Sequence, residues 1–149
     1  MSRDVRELIL ARLLVICQNL DGIKAAYRNK DEIGEDKRPA ILIFDAAETT
    51  TVGDQYVPKR GYGPNLVAMA PQITILLGAG AENVGPALNA FRLKLLKEIL
   101  VDGALLGLVG TNGQIVYGGC DTDLMRGRSV EGDMQIMITF IYSLLPQDL

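Results

Sequence analysis

The sequence contains no histidine and no tryptophan. Without histidine, Ser-His-Asp and Cys-His nucleophile activation, imidazole general-base chemistry and every histidine metal site are excluded. Most hydrolase mechanisms thereby lose their usual proton carrier. Two cysteines, Cys17 and Cys120, are too few for a disulfide framework or a zinc site, and both read as reduced and structural. Aromatic residues make up only 5 % and the formal charge is −3, so the chain has neither the basic face nor the stacking platform of a nucleic-acid binder. A long hydrophobic run is missing as well. In MSRDVRELILARLLVICQNL the charges of Arg3, Asp4, Arg6, Glu7 and Arg12 leave about 9 to 12 uncharged residues at most, too few for a membrane span and unlike a signal peptide. Synthesis in the cytoplasm, without a membrane partner, is the expectation.

What is present suits a folded domain. The 149 residues are 48 % hydrophobic and 22 % charged, and the mean hydropathy is +0.19. A domain of this size buries about 68 to 70 % of the surface its unfolded chain exposes, enough for a core without staples. With no linker, repeat or low-complexity segment, residues 1–149 read as one domain.

Val5, Leu8, Ile9, Leu13, Ile16, Cys17 and Leu20 recur at helical spacing, with Asp4 and Glu7 placed as an N-terminal capping pair and Asp21-Gly22 as the stop. A short strand follows at Ile23 to Arg28, then a charged loop, NKDEIGEDKR. Pro39 opens AILIFDAAE, a run of strand length. The polar segment from about residue 49 to 65 has no apolar face to bury and is longer than ordinary connections, so it reads as a projecting arm or hairpin or as a mobile loop. Leu66 to Leu77 is a strand in which Pro71 implies a sheet edge, a bulge, or two shorter strands. Leu88, Phe91, Leu95, Leu96, Ile99 and Leu100 build a second amphipathic helix, with Pro86 near its first turn and Asp102-Gly103 closing it. Residues 104–109 suggest a helical turn or two, 110–113 a reverse turn and 114–119 a strand. From Asp133 to Leu145 apolar and polar residues alternate as in a strand with one buried face. This order predicts an α+β fold: a mainly antiparallel sheet, two principal amphipathic helices packed on it, and a protruding polar arm.

Three stretches invite a chemical reading. CDTDLMRGRSVEGDMQIMITF, residues 120–140, sets four carboxylates and two arginines ahead of the alternating strand. Read as a calcium loop it fails, because the fifth, sixth and twelfth positions hold Met125, Arg126 and Gly132. Asp121, Asp123, Glu131 and Asp133 could still gather a hard cation, but Arg126 and Arg128 compete for the same carboxylates, and a polar turn with local ion pairs is the expectation. The turn joining ITILL to the second helix imitates a phosphate-binding loop. Its Gly78, Gly80 and Gly85 miss the dinucleotide spacing, and Pro86-Ala87 replace the Lys and Ser/Thr of a P-loop. In the arm, Lys59-Arg60 beside Tyr56 and Tyr62 make a weak nucleic-acid footprint next to acidic Glu48 and Asp54. A solvated or protein-contacting arm is the better reading.

The leading amphipathic helix, RPAILIFDAAE entering a polar arm, the strand PQITILL, the helix ending in LVDGALLGLV and the terminal strand QIMITFIYSLL together resemble the tail terminator family of tailed bacteriophages. That family includes head-tail joining and minor tail proteins and prophage relatives, and the resemblance covers nearly the whole chain. It implies a non-enzymatic virion protein without cofactors: a ring, usually of six subunits, at the head-proximal end of the tail. Its partners would be further copies of itself, the tail tube protein and the head connector or stopper protein, with DNA passing through without specific binding. Six copies at −3 each would carry −18, and an acidic conduit repels passing phosphates rather than retaining them. Candidate interface residues are Tyr56, Lys59, Arg60 and Tyr62 in the arm and Asp121, Asp123, Arg126 and Arg128 in the acidic stretch. The alternatives are a small metal-dependent enzyme using Asp121, Asp123, Glu131 and Asp133, or a monomeric accessory binding domain.

Overall fold

A computed structural model describes residues 4–31, 33–50, 65–78, 83–124 and 132–144. Helix α1, Val5–Gln18, starts at Asp4, whose carboxylate accepts a hydrogen bond from the Glu7 backbone N–H at 3.3 Å and so satisfies a donor the helix leaves unpaired. Val5, Ile9, Leu10, Leu13, Ile16 and Cys17 are buried on its inner face. Leu8, expected there, is 42 % exposed and Leu10 takes its place. The helix exits through Gly22 at φ +87°, where an added Cβ would stand 3.1 Å from the Phe91 ring; glycine both permits the left-handed turn and lets it pack there.

After α1 come β1 (Ala25–Arg28), a 3₁₀ turn (Glu35–Lys37), β2 (Ala40–Phe44), β3 (Glu48–Thr50), β4 (Asn65–Met69), β5 (Gln72–Leu77), α2 (Val84–Leu100), α3 (Gly103–Val109), β6 (Gln114–Leu124) and β7 (Gly132–Leu144). All seven strands form one sheet, in which β1 and β2 are parallel and every other pair is antiparallel. The fold is α+β with a mainly antiparallel sheet.

The long strand β7 is the spine. One side of it pairs with β4, from Asn65↔Leu144 to Met69↔Phe140, and with β5, from Gln72↔Met137 to Leu77↔Gly132. Both pairings follow one register, so Leu66 to Leu77 is a single line of chain interrupted at Ala70-Pro71. Proline has no N–H for the ladder, which splits the line into two strands although it lies inside the sheet. Strands β2 and β3 also share a line, with a one-residue offset at residues 45–47. On its other side β7 pairs with β6 across a bulge between Tyr117 and Gly119.

The helices cover one face of this sheet. Along β7, Met134, Ile136, Ile138, Phe140 and Tyr142 point into the main core, as the alternation predicts, with Ile73, Ile75, Leu88, Leu95 and Ile99 among their companions. The opposite face carries a smaller cluster of Ile33, Ala40 and Leu42, flanked by Tyr27, Phe44 and Leu76. Gln135 and Met137 of β7 are exposed on that face. No helix among the described residues is long and apolar enough to cross a membrane.

Several boundaries differ from expectation: β1 starts at Ala25 rather than Ile23, and Thr49, Thr50 and Asn65, expected in the arm, belong to β3 and β4. Helix α2 ends at Leu100, and Asp102, rather than closing it, caps α3 by accepting from the Leu105 N–H at 3.0 Å. The strand expected at 114–119 runs on to Leu124, so Asp121 and Asp123 belong to β6 and not to a polar turn. The bulge at Gly118-Gly119 shifts the β6–β7 register by one residue, and pairing continues in the new register through Leu124.

Candidate assembly surface

Glu48–Thr50 pairs with residues 67–69, making the arm the connection of a β-hairpin. Tyr56, Lys59, Arg60 and Tyr62 lie outside the described residues. The root of the hairpin is tied down from several directions. The Tyr142 hydroxyl donates to the Glu48 carboxylate. Tyr142 is fully buried, and burial first, the Glu48 contact second, push its phenol above the ordinary value. At the offset between β2 and β3, Arg28 donates Nε and Nη2 to Asp45 at 2.8 and 2.7 Å, and Nη1 and Nη2 to Glu7 of α1 at 2.5 and 3.0 Å. Arg6 Nη2 donates to the Ala46 carbonyl at 2.5 Å, and the Asp45 N–H donates to Asn29 Oδ1 at 2.9 Å. A planar guanidinium with five donors can serve two carboxylates at once, which fastens α1, β1 and the start of the hairpin together.

Arg28 holds the carboxyls of Glu7 and Asp45 below their ordinary values through its hydrogen bonds, and Arg12 does the same to Asp102 through contacts of 3.0 and 2.7 Å. A carboxyl depressed in the folded state contributes stability above its unfolded pKa and loses it as pH falls through the folded pKa. Wild-type stability should therefore drop as pH is lowered below the ordinary values of 4.5 and 3.8. Arg28→Ala should be less stable at neutral pH and show a shallower acid limb, the residual slope coming from Asp102. Urea unfolding across that range measures both; parallel acid limbs would contradict the role given to Arg28.

The acidic end of the β6–β7 hairpin forms a second feature. Asp123 stands directly across the ladder from Asp133, and Asp121 across from Gln135, all on the face away from the helices. Arg126, Arg128 and Glu131 fall in the connection 125–131, outside the described residues. Among the described residues no group of three or more His, Cys, Asp or Glu could hold a metal ion. The Asp133 carboxyl is raised, by partial burial first and then by Asp123 and Asp121, while Arg38 acts the other way. A raised carboxyl favours the fold only below its unfolded pKa, so at neutral pH this charge destabilises. Asp133→Asn should stabilise the protein by roughly 0.2–1 kcal/mol at pH 7, the scale of a cross-strand pair. The gain should vanish below about the ordinary value of 3.8; thermal unfolding at both pH values reads it, and a loss of stability at pH 7 would contradict the repulsion.

Between these features the uncovered face exposes Met137 at 51 %, Val116 at 40 % and Leu66 at 37 %. The Met137 side chain lies against the Gly118-Gly119 bulge, its methyl 3.5 Å from where a Gly119 Cβ would stand. Cys17 is buried, which pushes its thiol up to about 12 and makes it inert. Cys120, expected to be structural, is instead exposed on β6. A groove of about 440 Å³ runs between α1 and α2, with the paired Arg12 and Asp102 in its lining. The same lining brings Lys94 Nζ to 3.9 Å from the Asp21 carboxylate.

The Arg28 fork, the Glu48–Tyr142 contact and the Arg12–Asp102 pair carry no local sequence signal; each joins residues distant in the chain. Strand alternation from Met134 to Tyr142 could have flagged Met137 as outward-facing, but not as uncovered. No protein-family model matches this sequence, and a search of curated proteins finds no match to it.

Proposed function

We propose that the protein is a structural ring subunit of a phage tail, a tail terminator that caps the tail tube and joins it to the head connector. The observation that carries this reading is the hairpin root. A long connection, residues 51–64, springs from strands fastened through Glu48–Tyr142, Arg28–Asp45 and Arg6–Ala46, while the rest of the domain is a single packed sheet-and-helix unit. A segment rooted so firmly on a rigid body suits contact with a neighbouring subunit or the tube. The family resemblance of the sequence supports the same assignment, and the absence of histidine agrees with a non-enzymatic role.

Added to polymerising tail tube protein, the purified chain should arrest elongation and be visible at one end of each tube by electron microscopy. Tubes of undiminished length with bare ends would contradict the reading.

A further inference from the structure

We infer that copies of this chain join head to tail through the two ends of the sheet, the outer edge of β6 in one copy pairing antiparallel with the outer edge of β1 in the next. The inference rests on the ring reading and specifies which surfaces meet.

Strand direction is the first argument. From β6 the sheet passes to β7, β5 and β2 with a reversal at each step, and then to β1 without one. β6 and β1 therefore run in opposite directions within one copy. An identically oriented neighbour offers β1 to β6 as an antiparallel partner, the arrangement that extends an antiparallel sheet. The helices then remain on one side of the extended sheet and the uncovered face on the other.

Charge is the second argument. Strand residues keep to one face with a period of two, and on the uncovered face β6 presents exposed Asp121 and Asp123. On that same face β1 presents Tyr27, with Lys30 Nζ 4.1 Å and Lys37 Nζ 5.7 Å from its ring centroid. Asp31 and Asp36 are exposed in the same segment, so the complementarity is local to the two lysines on Tyr27 rather than a property of the whole edge. Carboxylates at one end of the sheet and ammonium groups at the other meet in a head-to-tail contact.

The edge of β6 is itself suited to such pairing. β6 spans eleven residues, QIVYGGCDTDL, and no strand among the described residues pairs with its outer side. It contains neither proline nor lysine, the usual guards of an exposed edge; within the strand itself, a bulge and two aspartates are what guard it. A neighbouring β1 covers its acidic half. Because the two surfaces differ, the contact is heterologous and propagates until the rotation per subunit closes a ring.

The test is a charge exchange. Asp121→Lys with Asp123→Lys, Lys30→Asp with Lys37→Asp, and the combination of all four are compared with wild type by sedimentation and by tube capping, so an assembly formed only on tubes is read equally. All four positions are exposed, and circular dichroism checks that each variant is folded. Either double reversal should weaken association by about tenfold or more, and the combination should return it to within about threefold of wild type. Cys120 gives an independent readout: its alkylation by a maleimide should be at least about tenfold slower in the wild-type assembly than in the Lys30→Asp, Lys37→Asp variant, with Cys17 unreactive in both. Association unaffected by the reversals, or Cys120 equally reactive in the assembly, would overturn edge pairing while leaving a ring in place. A wild-type chain that is monomeric at every concentration and leaves tubes uncapped would remove the ring and the pairing together.

Discussion

Replacing Phe140 by alanine should lower the stability of the folded chain by about 3–5 kcal/mol, the loss expected for a fully buried aromatic side chain. Phe140 is 0 % exposed and sits on the central strand where β7 is paired on both sides, opposite Met69 of β4 and Ile115 of β6. Neither neighbour can collapse into the vacated space without disturbing a ladder, so the cavity would persist. On the other face of the same strand, Met137 is half exposed over a glycine bulge. Met137→Ala should stay within about 0.5 kcal/mol of wild type. Urea unfolding with an unchanged slope measures the pair. A loss below about 1 kcal/mol at Phe140, against the expected range, would mean that β7 is not the spine of the fold.

The second large effect concerns assembly. Deleting residues 52–63 should abolish ring formation and tube capping while leaving the monomer folded. The geometry of the hairpin makes the monomer part of this expectation specific. Thr50 pairs with Val67, so the deletion leaves Thr51, Pro64, Asn65 and Leu66 between them, a four-residue connection of common hairpin length. The Glu48–Tyr142 and Arg28–Asp45 ties lie outside the deleted span and should survive. Thermal unfolding and sedimentation of the same preparation separate the two consequences. A deleted chain that still caps tubes would sink the role given to Tyr56, Lys59, Arg60 and Tyr62, and an unfolded one would mean that the arm belongs to the core.

Much of this architecture was legible in the sequence wherever burial repeats at short range. Asp4 and Glu7 announced the start of α1, and Met134 to Tyr142 announced the inward face of β7. The interruption at Pro71 was legible as well, since a missing N–H acts at its own position. The continuation of β6 through Asp121 and Asp123 was hidden, because glycine and aspartate disfavour strands and only pairing with β7 holds them there. Asp102 was misread for a related reason: a residue between two helices can close one or cap the other, and Arg12, ninety positions away, helps to settle which. Leu8 and Leu10 both fit a helical stripe at the level of spacing; the direction from which the sheet approaches decides which is buried.

At the candidate surface the division is sharper. The arm stood out by its length and polarity, and its root emerged as a β-hairpin base. The contacts that fasten this root, and the placement of lysines and aspartates at opposite ends of one face, come from strand order and register. No local pattern encodes strand order, since it is set by which apolar faces find one another after the chain has turned back on itself.

The central claim is that this chain assembles into a closed ring. Its native mass across a concentration range, with and without magnesium and in the presence of tail tubes, tests it most directly. The account predicts a discrete species near six times the 16.2 kDa chain mass, unaffected by magnesium. A monomer under every one of these conditions would contradict it.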